Sequence, residues 1–324
     1  MFKLGNKVCV LGGVGFIGRA VVSALTHAGF DVTVAVRRTE RYRELALIPN
    51  VSIVQISKLD ADSLMGLFKG QNCVVNLLAD QTNMSETVEE STFVATTQAI
   101  KKAAESLGLE RLIQLSQIGA NASQAKSNWL RVLGESDAIV HNMASTHTSI
   151  LRAGLLIGDG DHSTCLYAKQ LAKAPFAMIA NADKQIQPLW VNDFAKALVA
   201  CIKSESCFNA KIELAGEERM SLLDLAEWVK HFMGIEKANL MPMCQANAKF
   251  MLMLGWLAPM KTVSAYQQKQ LTIDLITQQD FASQFGFEPS SMEHILASYI
   301  LPHQLRHRYY FFRSHAGRDA KEFD

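Results

Sequence analysis

Residues 11–18 read Leu-Gly-Gly-Val-Gly-Phe-Ile-Gly, so Gly12, Gly15 and Gly18 fall in a GxxGxxG spacing. The run before it, Lys7–Leu11, is a short apolar strand candidate. The run after it carries Ile17, Val21, Val22 and Leu25 on one helical face. Glycines opening a helix cost local stability unless the backbone must come close to something. In this context Gly12 permits a tight turn, Gly15 lets a ligand approach without a Cβ in between, and Gly18 lets the helix pack closely on the sheet. The free N–H groups at the helix start, beginning at Phe16 and Ile17, and the helix dipole favour an anion there. A dinucleotide's pyrophosphate meets that demand.

The alternation continues. Asp31–Val36, Val51–Ile56, Cys73–Leu78, Leu112–Ser116 and Ser149–Arg152 read as strands, with helical stretches at Ala61–Phe68, Val88–Leu107 and Trp129–Met143 between them. Apolar strands separated by helices imply a parallel sheet covered on both faces, with right-handed crossovers. The expected fold is α/β, a Rossmann-type doubly wound parallel sheet with a smaller, mainly helical C-terminal domain. The first domain is expected over residues 1–160, with part of 185–205 interleaved, and the second over 161–324. Ile186–Val191 reads as a strand, and Asn192 or Asp193 is a cap candidate for a helix running to Ile202. Ser221 is a cap candidate for Ser221–Met233.

The 324 residues are 49% hydrophobic with a net charge of +1, enough for a large core and without a field that would attract nucleic acid. The six cysteines form no CxxC pair, which suits buried thiols in a reducing compartment. The start shows no signal-peptide pattern, and the longest apolar run, Phe250–Met260, holds 11 residues against the roughly 20 that span a bilayer. A cytoplasmic protein is expected. Two segments raise peripheral attachment to the inner face of a membrane: 250–260 with Trp256, and 303–318, where Arg306, Arg308, Arg313 and Arg318 surround Tyr309-Tyr310-Phe311-Phe312. Core packing and a partner-bound tail are the competing readings. His303 and His307 have ligand-like i, i+4 spacing but no acid or cysteine beside them, so no metal site is expected.

The second strand ends in Arg37-Arg38, where an acid would commonly bond a ribose 2′-hydroxyl. A guanidinium instead clamps a 2′-phosphate. NADP(H) is therefore expected over NAD(H).

Taken together, several segments resemble a known group. They are Gly12–Gly18, Val34–Arg38, Asn76-Leu77-Leu78, Leu115–Ala120, Gly134-Glu135, Leu151-Arg152, Gln187–Asp193 and Leu271–Asp280. The chain resembles the atypical and extended short-chain dehydrogenase/reductase superfamily, in the branch of the complex I alpha-subcomplex nine accessory subunit and its bacterial relatives. The resemblance covers about residues 5–300. It implies a nucleotide near the switch point of the sheet, held by Gly12, Gly15, Phe16, Ile17, Gly18, Arg37, Arg38, Leu78, Ala79, Ser116, Arg131 and Arg152. It also implies a protein partner in a respiratory or membrane complex.

Active members of that superfamily carry Tyr-x-x-x-Lys on the helix after the fifth strand, where the lysine lowers the tyrosine pKa for proton transfer. The residues four places after Tyr42, Tyr167, Tyr266, Tyr299, Tyr309 and Tyr310 are Ala46, Leu171, Gln270, His303, Arg313 and Ser314. Counting back from Gly134-Glu135, the family's tyrosine and lysine positions hold Ser127 and Arg131, with Ser116 at the serine position. A shifted register puts Trp129 and Leu133 there. Serine is too weak an acid alone, and arginine does not deprotonate. The expectation is a nucleotide-holding protein with a structural, assembly or redox-sensing role. The alternative is an NADP-dependent oxidoreductase or epimerase with a non-standard site. Asp60 stands later than the family's adenine-side acid, so that contact is shifted or different.

Overall fold

The structure is a computed structural model, and it describes residues 4–83, 85–243, 247 and 270–300. Strand β1 (Lys7–Leu11) leads into helix α1 (Phe16–His27), followed by β2 (Asp31–Val36), a 3-10 stretch over Thr39–Leu47, β3 (Val51–Gln55) and α2 (Ala61–Phe68). Then come β4 (Cys73–Asn76), α3 (Glu90–Leu107), β5 (Arg111–Gln117), α4 (Asn128–His141) and β6 (His147–Ala153). The central sheet has seven strands in the order β11-β6-β5-β4-β1-β2-β3, with β11 at Ala210–Leu214, and every pairing in it is parallel. The strand order reverses beside β1, whose neighbours are β2 and β4. Ligands of such sheets bind at the carboxyl ends of the strands at that reversal.

The sheet is buried on both faces, which is why β1 and β4 read as unbroken apolar runs. Helix α1 packs with α6 (Val191–Lys203), while α2, α3 and α4 pack side by side. Inward-facing Ile17, Val21, Val22 and Leu25 anchor α1, each adding about 1.5–3 kcal/mol of burial. Arg111 is the buried charge on β5, beside buried Gln114, Ser116 and Gln117. Its guanidinium donates to the carbonyls of His147, Cys201 and Ile202 and to Ser149 Oγ, so the buried charge is satisfied without an acid.

Two differences from the sequence expectations have physical causes. Helix α6 starts at Val191, with Trp190 as its N-cap residue, so neither Asn192 nor Asp193 caps it. Asp193 is instead buried in the first turn, where it pairs with Lys196 and accepts from the Ser290 amide at 2.7 Å. Strand β11, which lies beyond residue 205, belongs to the central sheet. The first layer therefore borrows more of the later chain than the interleaved segment alone.

A second apolar core lies under β7 (Leu156–Ile157), α5 (Thr164–Leu171), β8 (Phe176–Ala180), β9 (Gln185–Ile186) and β10 (Leu189–Trp190). It continues under β12 (Met220–Ser221), α7 (Leu222–Phe232) and β13 (Asn239–Met243). Helix α8 (Phe281–Phe285) packs on the first core, and α9 (Met292–Tyr299) on the second. Ser221 caps α7 in a reciprocal box with Asp224.

Candidate functional site

The glycine turn lies where the sheet reverses. Gly12 has φ +79°, and a Cβ there would stand 2.9 Å from the Leu77 carbonyl oxygen on the neighbouring strand end. A Cβ on Gly18 would run into the Gly12 carbonyl oxygen. Both positions therefore demand glycine for backbone reasons alone. The cradle itself is bare, since Gly15 is the N-cap residue of α1 and offers no capping side chain.

The caps come from elsewhere. The Ile17 amide donates to Asp80 Oδ2 at 3.0 Å, and the Phe16 amide donates to Thr82 Oγ1 at 3.1 Å. Asp80 Oδ1 in turn accepts from the Thr82 amide and hydroxyl. Asp80 is buried, and burial pushes its carboxyl above the ordinary carboxylate range; its hydrogen bonds and His162 oppose the rise. A Cβ on Gly15 would collide with this carboxylate. The loop between β4 and α3 thus places an acid on the N–H groups that a pyrophosphate uses.

Beside the turn is a cavity of about 430 Å³ at the ends of β1, β2 and β4. Gly12, Val36, Ile56, Leu59 and Leu78 wall it, with Thr92 and Thr96 from α3. Glu86 and Glu89 also line it, and its size and mixed aliphatic and polar walls suit an adenosine moiety. Arg37 lines it, and the Arg37 guanidinium donates to the carbonyls of Ser85 and Thr87. The Arg37 amide donates to Glu86 Oε2 at 3.1 Å. An acid is therefore present at the end of β2 after all, delivered by the same loop. Arg38 is exposed. Asp60 lies outside this cavity and caps α2 through the Ser63 amide.

The other half of the site is a small cavity lined by Ile17, Ala79, Ser116, Leu133, Gly154 and Leu156. The side chain from α4 that lines it is Leu133, which belongs to the shifted register; Asp137, also on α4, lies against Ser116. Ser127 does not line it; its hydroxyl caps α4 by accepting from the Leu130 amide. Arg131 is half-exposed and engages Glu135 and Asn128. Arg152 holds buried Asp137 through two contacts of 2.9 and 3.0 Å. Burial pushes the Asp137 carboxyl up, and Arg152 opposes that rise. Gly12, Gly15, Phe16, Ile17, Gly18, Leu78, Ala79, Ser116 and Arg37 are thus brought together around the turn. Ser127 and Arg131 are committed to bonds within α4, and Arg152 to Asp137.

Of the tyrosines, Tyr167 is buried in α5, Tyr42 bonds Asn83 and Ser85, and Tyr299 bonds Thr164. Tyr266, Tyr309 and Tyr310 lie outside the described residues, as do 250–260, His303, His307 and 303–318. Among the described residues no cluster could hold a metal ion, and no helix is long and apolar enough to cross a membrane. Asp80, Thr82 and Glu86 are the site residues that sequence reasoning did not find. Their only signal was a polar run after β4 rich in Asp, Thr, Asn and Ser, the residue types that bond backbone groups locally.

A glycine turn at the reversal of a doubly wound parallel sheet, with an adenosine-sized cavity beside it, defines a dinucleotide-binding fold. The chain belongs to the NAD(P)H-binding family, whose model matches residues 12–174. It is 29% identical over 230 residues to the mitochondrial NADH dehydrogenase [ubiquinone] 1 alpha subcomplex subunit 9 of Arabidopsis thaliana, covering 69% of this chain and 57% of that protein. The Rattus norvegicus protein of the same name is 25% identical over 244 residues, covering 74% of this chain and 63% of that one. The chain therefore spans about three-fifths of the length of these relatives. Its fold matches dTDP-glucose 4,6-dehydratase from Streptomyces venezuelae, solved with NAD, at TM-score 0.70 and 15% identity over 95% of this chain and 98% of that one. UDP-glucuronic acid 4-epimerase from Bacillus cereus matches at TM-score 0.66 and 16% identity over 91% and 98%.

Proposed function

We propose that this protein holds NADP(H) as a bound nucleotide and does not use it in a tyrosine–lysine proton relay. The carrying observation is that α4 lines the Ser116 cavity with Leu133 and with no tyrosine or lysine. Leu133 neither gives nor takes a proton, and Asp137, the acid of α4 that lies against Ser116, is buried and held by Arg152. The glycine turn and the 430 Å³ cavity supply the nucleotide's place. When bound, the nicotinamide would supply hydride chemistry at the Ser116 end. Around Ser116, the small cavity offers mainly apolar side chains and the amide of Gln117. The preference for a 2′-phosphate rests on Arg37 and Arg38. The guanidinium of Arg37 is held by neutral carbonyls rather than by an acid, so a phosphate that displaces them gains a charge pair.

The likeness to a respiratory-complex subunit supports a structural or assembly role, with a protein partner in a membrane-associated complex. The test is mass spectrometry of the small molecule released by denaturing the purified native chain. NADP(H) is the expected product. NAD(H) overturns the 2′-phosphate reading. A chain that releases no nucleotide, and binds none by calorimetry, overturns the whole proposal. Turnover of any substrate that is lost on Ser116→Ala favours the oxidoreductase or epimerase reading instead.

A further inference from the structure

We infer that Asp80 and Glu86, on the loop between β4 and α3, imitate the phosphates of the dinucleotide and compete with them for this site. They thereby set both its affinity and its preference for a 2′-phosphate. The inference rests on the reading that the site takes a dinucleotide.

The geometry is specific at both ends of the loop. At the near end, the Asp80 carboxylate and the Thr82 hydroxyl occupy the amides of Ile17 and Phe16. Those amides, at the positive end of α1, are the donors that a pyrophosphate needs. Both anions cannot hold them at once. At the far end, Glu86 takes the Arg37 amide, and the loop carbonyls of Ser85 and Thr87 hold the Arg37 guanidinium. A 2′-phosphate at the end of β2 would meet the Glu86 carboxylate and find Arg37 engaged. Tyr42 secures the middle of the loop through Ser85 and Asn83.

Binding is therefore an exchange. The pyrophosphate takes the place of Asp80 and Thr82. The 2′-phosphate takes the place of Glu86, and departure of the loop carbonyls frees Arg37 to clamp it. NADP(H) carries an anion for each of the two places, whereas NAD(H) carries one. The apparent affinity is the intrinsic affinity reduced by the fraction of molecules whose loop has left. The buried Asp80 carboxylate, with three donors on it, keeps that fraction small. Its departure leaves two acids and Thr82 in solvent, so the nucleotide state is displayed on the surface beside α3.

Calorimetric titration of the full chain with NADPH and with NADH tests this. Asp80→Ala is expected to tighten both by a similar factor of about ten or more, as a lost charge-assisted bond on the closed loop implies. Asp80→Asn keeps a carbonyl oxygen for the Ile17 amide and guards against misfolding; it should show a smaller gain. Glu86→Gln should tighten NADPH more than NADH. Hydrogen exchange gives an independent readout in the unaltered protein: the amides of Thr82 and Glu86 should exchange faster when NADPH is bound. Unchanged or weaker binding in both Asp80 variants overturns the competition while leaving nucleotide binding in place. So does slower exchange of those loop amides with NADPH. Failure of every form, variants included, to bind either nucleotide overturns both the competition and the reading beneath it.

Discussion

Gly18 and Gly66 are both helical glycines, yet their surroundings are opposite. A Cβ on Gly18 meets the Gly12 and Gly13 backbone, which cannot yield; around Gly66 a Cβ meets nothing within 4 Å. Gly18→Ala should lower unfolding stability by about 1–3 kcal/mol or more. Gly66→Ala, in the exposed middle of α2, should raise it by about 0.5–1 kcal/mol. Urea midpoints read both, and equal effects of the same sign would contradict the packing. Arg152 and Asp137 give a second case. Arg152→Leu strands a buried carboxylate, and a loss of about 3–5 kcal/mol at neutral pH is expected. Asp137 has a folded pKa above its unfolded value of 3.8, so its ionised form costs stability in the folded state. That cost is present above the folded pKa and disappears as pH falls through it towards 3.8. Without Arg152 the folded pKa rises further. The deficit of the variant should therefore narrow on acidification, and a deficit that stays constant down to about pH 4 counts against the ion pair as its cause.

At the scale of elements, α6 does two jobs. Its apolar face packs with α1, and its first turn uses Asp193 to hold the Ser290 amide just before α9. The acid is worth more there than as a helix cap, because an N–H from a distant segment is satisfied in a buried place. Asp193→Ala should cost about 1–3 kcal/mol and speed hydrogen exchange at Ser290, while amides in α6 itself stay protected. Loss of protection throughout α6 with Ser290 unchanged would show that Asp193 acts only inside its own helix. The two segments Gln187–Asp193 and Leu271–Asp280 also meet: the Gln187 side-chain oxygen accepts from the Thr277 amide, and the Gln187 backbone amide donates to the Leu275 carbonyl. Sequence reasoning found both segments and could not see that they are partners.

At the scale of the whole molecule, the chain crosses between its two cores several times. It enters the second with β7 and α5, returns with α6 and β11, and leaves again with α7. Trp190 packs against both cores, and Gly154 lies against Ala215 across the junction. Neither core is a continuous stretch of chain that can close alone. A single calorimetric transition, with equal van't Hoff and calorimetric enthalpies, is the expected outcome. Two resolved transitions would show that the cores fold independently.

The doubly wound sheet and the place of the glycine turn are legible in the residues alone. Both rest on short-range rules: apolar strands must be covered on two faces, and only glycine tolerates the backbone at residue 12 and the approach at residue 18. Most of the residues that gather at the turn, from Gly12 to Ser116, are legible there too, because strand ends in such a sheet converge. Three matters were decided only by tertiary structure. Leu133, not Arg131, lines the cavity at Ser116, because Ser127 is consumed as the cap of α4 and Arg131 is drawn to Glu135 and Asn128. Arg152 is committed to Asp137, a partner on another element. The α1 amides and the Arg37 amide are held by Asp80, Thr82 and Glu86. Those contacts span roughly fifty to sixty-five positions of chain. No local pattern encodes which distant donor a polar loop will reach, since any exposed amide satisfies a carboxylate equally well. The glycine turn is a cradle by sequence; that the chain carries its own acids to it is a property of the fold.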